Sequence, residues 1–239
     1  MLALLKYNYK IYRKCNKFIV PLLVFFIFEK IYYSGGTTDF ISSMIICSNI
    51  VFFIMAWMGF SYCESQDWLT EQIIFLKVRN NNLYWISKVL FMWIIGIVLS
   101  LSGILLPLIA NLLSDGFLFG NKVTFIDVLL AFFIHALATL MGLLLGMIFQ
   151  TKVIGSRNIS VIIIILSALL SIIKGPLIIE FPISKVVTWI LPPIYNVTSP
   201  CIENGRFSLN LFIIAVIYSV VYILIQIFTY IKLMKKLLF

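Results

Sequence analysis

Residues 40–63 read FISSMIICSNIVFFIMAWMGFSYC, an apolar run without a charged side chain, and this run decides the fold class. A helix of this length crosses a hydrocarbon layer of ~30 Å, which takes roughly 20 residues. The sequence has six such stretches, approximately 18–33, 40–63, 85–113, 125–149, 159–173 and 207–232. Backbone in lipid must be helical or part of a closed barrel, and these runs lack the alternation of barrel strands. We therefore predict an all-α integral membrane protein with six transmembrane helices.

Composition and charge predict one membrane domain, residues 1–239, with both termini in the cytoplasm. Hydrophobic residues make up 62 % of the chain, against about 45–50 % in soluble domains. With the N-terminus inside, the connections carry a net charge of +10 inside and −1 outside, out of +9 in total. Positive loops face the cytoplasm, so we expect a multi-pass protein of the plasma membrane. The basic charge then reflects topology, and a nucleic-acid partner is not indicated.

Two segments beside the spans have a predicted structure of their own. Residues 1–17 carry basic side chains at helical spacing, and Leu4, Ile11, Cys15 and Phe18 share the opposite side. This pattern predicts an amphipathic helix at the cytoplasmic interface of the bilayer, although a simple basic anchor explains it as well. Residues 174–206 stay apolar but are divided by prolines. We expect short re-entrant outer helices there, buried in protein, before the last span.

The loop at residues 64–82 is the cytoplasmic connection with the most internal pattern. Asp67 can cap a helix, and Glu71 lies in the first turn, where the helix dipole favours an anion. Large apolar side chains follow at Trp68, Leu69, Ile73, Phe75 and Leu76. Reversing the chain does not require them. We therefore predict a short helix parallel to the membrane, covered by headgroups or by another protein.

Motifs for catalysis and metal binding are absent from the sequence. The nucleotide-binding GxxxxGK[ST], the metalloprotease HExxH and the hydrolase GxSxG do not occur. The four cysteines and the one histidine have no metal-ligand spacing. We predict no catalytic residue, metal or cofactor on this chain. Ionisable groups deep in the predicted spans are also scarce, which argues against an ion-coupled carrier.

Polar side chains within the predicted spans are candidates for a translocation pathway. These candidates are Asn49, His135, Tyr218, Tyr222 and Gln226. Tyr218, Tyr222 and Gln226 are spaced by four and share one face of the last helix. Interhelical hydrogen bonds and subunit packing are the alternative explanation for each. Packing within the subunit is also our expectation for the small-residue face at Gly142-x-x-x-Gly146.

This order of elements resembles the ABC type-2 transporter permease family over nearly the whole chain. Residues 65–72, SQDWLTEQ, and the sequence on to Lys88 are similar to the family's coupling helix, which docks in a cleft of the ATPase. Residues 174–200 are similar to its re-entrant outer helices. The chain departs from the family at residues 80–82, three asparagines where many members carry a proline.

The resemblance implies a permease that forms a homodimer or pairs with a sibling and binds two copies of a cytoplasmic ABC ATPase, which hold the ATP and Mg. Its implied ATPase-coupling residues are Glu64, Asp67, Trp68, Leu69, Glu71, Ile73, Phe75 and Leu76. The three carboxylates would meet basic residues of the ATPase. Small members of this kind resemble bacterial exporters of amphipathic or antimicrobial peptides, including lantibiotic-immunity permeases. The alternatives are an uncoupled channel or carrier and an intramembrane enzyme.

Overall fold

The protein is almost entirely helical over residues 1–78, 81–120, 122–198 and 209–238, which the computed structural model describes. These residues form the helices α1 Leu2–Cys15, α2 Ile19–Tyr33, α3 Phe40–Glu64, α4 Trp68–Lys77, α5 Asn81–Leu113, α6 Phe125–Ile148, α7 Thr151–Ile154, α8 Arg157–Ile172, α9 Lys174–Glu180, α10 Ser184–Thr188, α11 Ile194–Thr198 and α12 Leu209–Leu238. Within the same ranges, the β-structure is an isolated bridge between Thr38 and Phe119. The predicted all-α fold class is confirmed.

Four helices in the described part of the chain are long and apolar enough to cross a membrane. They are α3, α5 from Asn82, the unit Phe125–Ile154 that comprises α6 and α7, and α12 from Phe212 to Leu237. Helices α8 and α9 pass the same test only as a pair, joined by a bend of 73°. The protein is therefore a helical membrane protein, and its described residues contain four candidate spans, or five if the bent pair is counted as one.

The predicted first span, residues 18–33, is one of those among the six that do not meet the length requirement as a single helix. Helix α2 has 15 residues, about 22 Å, and is shorter than the hydrocarbon layer. Backbone turns fix both of its ends, since Asn16 has a left-handed φ of 50° and Gly36 a φ of 115°. Helix α2 therefore cannot continue into α1 or towards α3 without unwinding one of these turns.

The core of the bundle is the contact between α3 and α6. A Cβ atom at Gly142 would collide with the carbonyl oxygen of Phe52, and one at Gly146 with that of Ala56. On the facing helix, a Cβ at Gly59 would lie 2.6 Å from the carbonyl oxygen of Leu143. Glycines on both sides let the two backbones approach closely, as in other small-residue helix contacts. The expectation that the Gly142/Gly146 face packs within the subunit is confirmed.

The segments predicted to be cytoplasmic meet at one end of the bundle, which we call the basic end. The Cys15 thiol donates to the carbonyl of Ser65 at 3.8 Å, which joins α1 to the start of the 64–82 loop. The Gln150 side chain donates to the Met234 sulfur at 3.1 Å, which places the end of α12 beside α7. That this end faces the cytoplasm remains a prediction.

Helix α1 rests its apolar side on the bundle, and two polar groups lie within that contact. Asn8 and Tyr12 are buried there. Asn8 donates to the Ser87 hydroxyl at 3.4 Å, and the Tyr12 ring packs edge-on against Tyr62 and Phe91. The predicted interfacial helix is therefore also a packed element, tied to α3 and α5.

The predicted outer segment folds into the short helices α9, α10 and α11, and residues 199–206 of it lie outside the described part. Gly175 packs directly beneath the ring of Tyr195, where a Cβ atom would not fit. Ile194 and Val197 are fully buried. The Tyr222 hydroxyl of α12 donates to the carbonyl of Ile190 at 2.6 Å. The α11 part of this segment is thus packed against the long helices, which gives its interrupted backbone protein partners. The α9 and α10 part is not buried as expected, since Ile179 and Val186 are 78 % and 75 % exposed.

Candidate functional site

Helix α4 begins at a side-chain cap, as the sequence predicts. A carboxylate oxygen of Asp67 accepts from the backbone N–H of Thr70 at 3.2 Å and from the hydroxyl of the same residue at 3.2 Å. This cap satisfies a donor of the first turn that has no partner within the helix. The helix ends at Lys77, and Arg79 and Asn80 lie outside the described residues.

Glu71 holds α4 against the bundle through two lysines. One of its oxygens pairs with the ammonium of Lys88 on α5, and the other lies 2.5 Å from the ammonium of Lys152 on α7. The side chains of Glu71 and Lys88 are 6 % and 2 % exposed. The ammonium of Lys88 also lies 4.7 Å from the ring centres of Tyr84 and Trp85, so cation–π contacts with both rings stabilise its charge. We call Glu71, Lys88 and Lys152 the Glu71 clamp.

Glu64 forms a second, more exposed set of contacts at the same end. The Arg157 guanidinium donates to it at 3.0 Å, the Thr151 hydroxyl donates at 3.2 Å, and the Lys17 ammonium is 3.8 Å away. The family resemblance implies that Glu64 and Glu71 meet basic residues of another protein. In this structure both carboxylates meet basic residues of their own chain, which come from distant parts of the sequence. Asp67 remains exposed at the cap.

Electrostatics around α4 extend to the neighbouring α1. Partial burial and the nearby Glu71 carboxylate both raise the pKa of the Tyr7 hydroxyl above its ordinary value. Tyr7 therefore stays neutral at physiological pH and adds no charge beside the clamp.

The apolar side chains of α4 divide between a buried and an exposed set. Phe75 is buried, with its ring 6.0 Å from that of Trp85, and Trp68 is half-buried, with the Lys152 ammonium 5.8 Å from its ring. The exposed set is Leu69, Ile73 and Leu76, whose exposed fractions are 65 %, 54 % and 75 %. Their i, i+4, i+7 spacing places them in one line along the helix. We call them the coupling stripe.

The candidate pathway residues separate into two groups. Tyr218, Tyr222 and Gln226 line one cavity of about 530 Å³, which we call the α12 cavity. Asn49 and His135 do not line it. His135 is fully buried in α6, with its Nδ1 atom 2.8 Å from the carbonyl oxygen of Ala131 on the same helix, an arrangement that suits packing.

The α12 cavity lies between α6, α12 and the chain that joins α10 to α11. Its lining residues are Leu145, Ile148, Phe149, Trp189, Ile190, Leu191, Pro192, Tyr218, Val221, Tyr222, Ile225, Gln226 and Thr229. This set contains aliphatic and aromatic groups, three hydroxyls and one amide, and no charged side chain. Such a lining suits an apolar or amphipathic ligand.

Sequence reasoning missed a buried acid on α2. Glu29 is 4 % exposed. One of its oxygens accepts from the Cys47 thiol at 3.4 Å, and the other is buried without a hydrogen-bond partner among the described residues. The signal was present in the sequence, because Pro21, Phe25 and Glu29 are spaced by four and form the buried face of α2.

The described residues contain no group of three or more His, Cys, Asp or Glu side chains that could hold a metal ion. No protein-family model, curated protein or solved structure matches this chain.

Proposed function

We propose that this chain is the permease subunit of an ATP-driven ABC exporter in a bacterial plasma membrane. The basic end faces the cytoplasm. Helix α2 crosses where the bilayer is locally thinned around its 15 residues, and with the bent α8–α9 pair it completes six crossings. Two permease copies form a homodimer with two copies of a separate ATPase, which bind and hydrolyse Mg-ATP. The cargo is an amphipathic or hydrophobic peptide.

The coupling stripe is the observation that carries the proposal. Leu69, Ile73 and Leu76 are large, apolar and exposed, and they lie on a helix at the end where the charged segments gather. Burying three such side chains stabilises an interface by about 1.5–3 kcal/mol each. A cleft on a partner protein provides that burial. A bilayer surface is the alternative cover for this face, as for other interfacial helices.

The Glu71 clamp supports the same assignment, because a coupling helix must transmit movement to the spans. Lys88 is on α5 and Lys152 is on α7, so one carboxylate joins α4 to two other parts of the bundle. A buried contact with Lys88 and a partly buried contact with Lys152 resist sliding of α4 relative to both. Closure of an ATPase pair beneath α4 would therefore move α4 together with its bundle, as a rigid-body switch requires.

The α12 cavity supports the choice of cargo. Its lining is apolar, with no charged side chain, and therefore suits lipophilic groups better than sugars or ions. Peptides with an apolar face carry such groups, and they partition into bilayers, from which a membrane-exposed cavity can receive them.

Purification of the tagged chain from its native membrane, followed by an assay of Mg-ATP hydrolysis, tests the proposal. We expect wild-type preparations to hydrolyse ATP through the bound ATPase. The triple variant Leu69→Ala, Ile73→Ala, Leu76→Ala should bind the ATPase at least about 100-fold more weakly, because several kcal/mol of apolar burial disappear. Its preparations should therefore retain little of the wild-type hydrolysis.

The matched control truncates two leucines at the opposite end of α5. Leu112 and Leu113 are 77 % and 82 % exposed, and the variant Leu112→Ala, Leu113→Ala should retain full hydrolysis. Undiminished hydrolysis in the triple variant contradicts the role of the coupling stripe. Transport by the chain alone in liposomes, without ATP, indicates an uncoupled channel or carrier instead.

A further inference from the structure

Helix α1 lies across the long helices at the basic end. Asn8 contacts Ser87 of α5, and one turn later Tyr12 contacts α5 one turn further along. Tyr12 and Cys15 likewise contact successive positions at the end of α3. Helices α3 and α5 run in opposite directions, because α3 ends and α5 begins at the basic end. A helix that advances along both must cross both at a large angle, so α1 lies in the plane of the membrane.

The contact with α5 fixes the depth of α1 in the bilayer. Helix α5 has 33 residues, about 50 Å, and exceeds a hydrocarbon layer of ~30 Å by roughly 20 Å. Its contacts with α1, Ser87 and Phe91, lie about 9 and 15 Å along it from its first residue. With about 10 Å of α5 beyond each side of that layer, α1 meets α5 where headgroups and hydrocarbon adjoin.

The side of α1 that faces away from the bundle is cationic. Four exposed basic side chains share this side by their helical spacing, and we call them the α1 cationic face: Lys6, Lys10, Arg13 and Lys14. Among the described residues, none of the four forms an ion pair with an acid. The first acid in the sequence is Glu29, so α1 supplies no counter-charge of its own.

The acids of the basic end are engaged elsewhere. Glu71 is held in the Glu71 clamp, Glu64 contacts basic residues of other segments, and Asp67 caps α4. A counter-charge for the α1 cationic face therefore comes from outside the chain.

We propose that the α1 cationic face binds the headgroups of anionic glycerophospholipids, of which phosphatidylglycerol is the simplest example. Lipid phosphates lie at the level of α1, and each basic side chain beside an anionic bilayer surface strengthens binding. Leu2 and Tyr9 on the same side are 83 % and 53 % exposed, and an apolar and an aromatic group both suit the boundary of the hydrocarbon layer. The apolar side of α1 is occupied by the bundle, so its attachment to lipid is mainly electrostatic. This binding surface is independent of the proposed exporter.

Photolabelling by lipids tests the proposal on the purified full-length chain in phosphatidylcholine nanodiscs. Phosphatidylglycerol and phosphatidylcholine probes carry the same diazirine near the glycerol, and mass spectrometry gives the ratio of their labelling for each peptide. We expect a ratio of about five for residues 1–17, the preference that one such charge contact gives, and a ratio near one around Leu112 at the opposite end of α5. Raising NaCl from about 0.05 to 0.5 M should bring the first ratio at least halfway to one, because salt screens exposed charges.

A charge-neutral variant of α1 tests whether the cationic face is the cause. In the variant Lys6→Gln, Lys10→Gln, Lys14→Gln the ratio at residues 1–17 should fall below about two, because three of the four charges are gone. Glutamine keeps the helix propensity of lysine, so α1 itself should persist. The variant Lys6→Arg, Lys10→Arg, Lys14→Arg keeps the charges and should keep the ratio, which separates loss of charge from loss of structure.

A matched control removes the same charge from another helix at the same end. Lys232, Lys235 and Lys236 of α12 are exposed, and replacing all three by Gln should leave the ratio at residues 1–17 unchanged. An equal fall in the α1 and α12 variants makes total charge the cause and overturns the proposal. A ratio near one at residues 1–17 in the wild type also overturns it, as does a ratio that survives the α1 Gln variant.

The outcome is separate from that of the proposed function. The labelling uses neither ATP nor an ATPase, so the coupling-stripe variant should show the wild-type ratio at α1. Loss of the lipid preference with intact ATPase coupling refutes the lipid surface alone, and the reverse result refutes the exporter alone.

Discussion

The Glu71 clamp makes a quantitative prediction about stability. In Glu71→Gln the carboxylate charge disappears, while the Lys88 ammonium stays at 2 % exposure without a counter-charge. Breaking a buried ion pair in this way destabilises proteins by about 3–5 kcal/mol. For a chain of this size, 1 kcal/mol corresponds to about 2–4 °C in Tm. We therefore expect Tm in detergent to fall by about 6–20 °C.

Two further variants determine whether buried charge is the cause. Replacing Lys88 by Met in the Glu71→Gln background removes the stranded charge and should recover at least half of the lost Tm. Glu64→Gln is the matched control, because Glu64 also contacts two basic residues, but its partner Arg157 is 71 % exposed. Exposed pairs contribute about 0–1 kcal/mol, so Tm should fall by no more than about 4 °C. Equal losses in the two single variants, or no recovery in the double variant, would show that buried charge at Lys88 is not the cause.

Two other substitutions test the bundle through Tm in the same detergent. Gly146→Ala should lower Tm by about 2–12 °C, because its methyl group collides with the Ala56 backbone, while Gly120→Ala, which meets open space, should leave Tm unchanged. Equal effects of the two would contradict the α3–α6 contact. Glu29→Met replaces a buried acid that has an unpaired oxygen by an apolar side chain of similar length and loses only a weak thiol hydrogen bond, so Tm should rise by about 2–4 °C. A fall in Tm would show that the Glu29 carboxyl has a stabilising partner.

The parts of the fold that the sequence predicts well are those set by solvent and by local spacing. The uncharged run at residues 40–63 becomes α3, because lipid leaves its backbone no alternative to the helix. Asp67 caps α4 since its carboxylate reaches an N–H three residues away. Gly142 and Gly146 are four residues apart, so they leave a shallow groove along α6 whichever helix packs into it.

The features that the sequence does not predict depend on contacts between distant residues. Glu71 pairs with Lys152, 81 positions away, and this contact decides that Glu71 is buried while Leu69 and Leu76 are exposed. The spacing alone predicts that Glu71, Leu69 and Leu76 belong to one docking surface. The limits of α2 depend on the backbone turns at Asn16 and Gly36, and the apolar composition of residues 18–33 does not predict where these turns lie. The α12 cavity requires residues 189–192 to fold back onto α12, and helical periodicity contains no information about that return.

Site-specific photocrosslinking from the coupling stripe in native membranes identifies what α4 contacts. A benzophenone amino acid replaces Ile73 at the stripe or, as a control, Leu112 at the opposite end of α5. We expect position 73 to crosslink to a nucleotide-binding ATPase subunit and position 112 to give no such adduct. Adducts of position 73 with lipid alone, in membranes where the chain is active, would contradict this expectation.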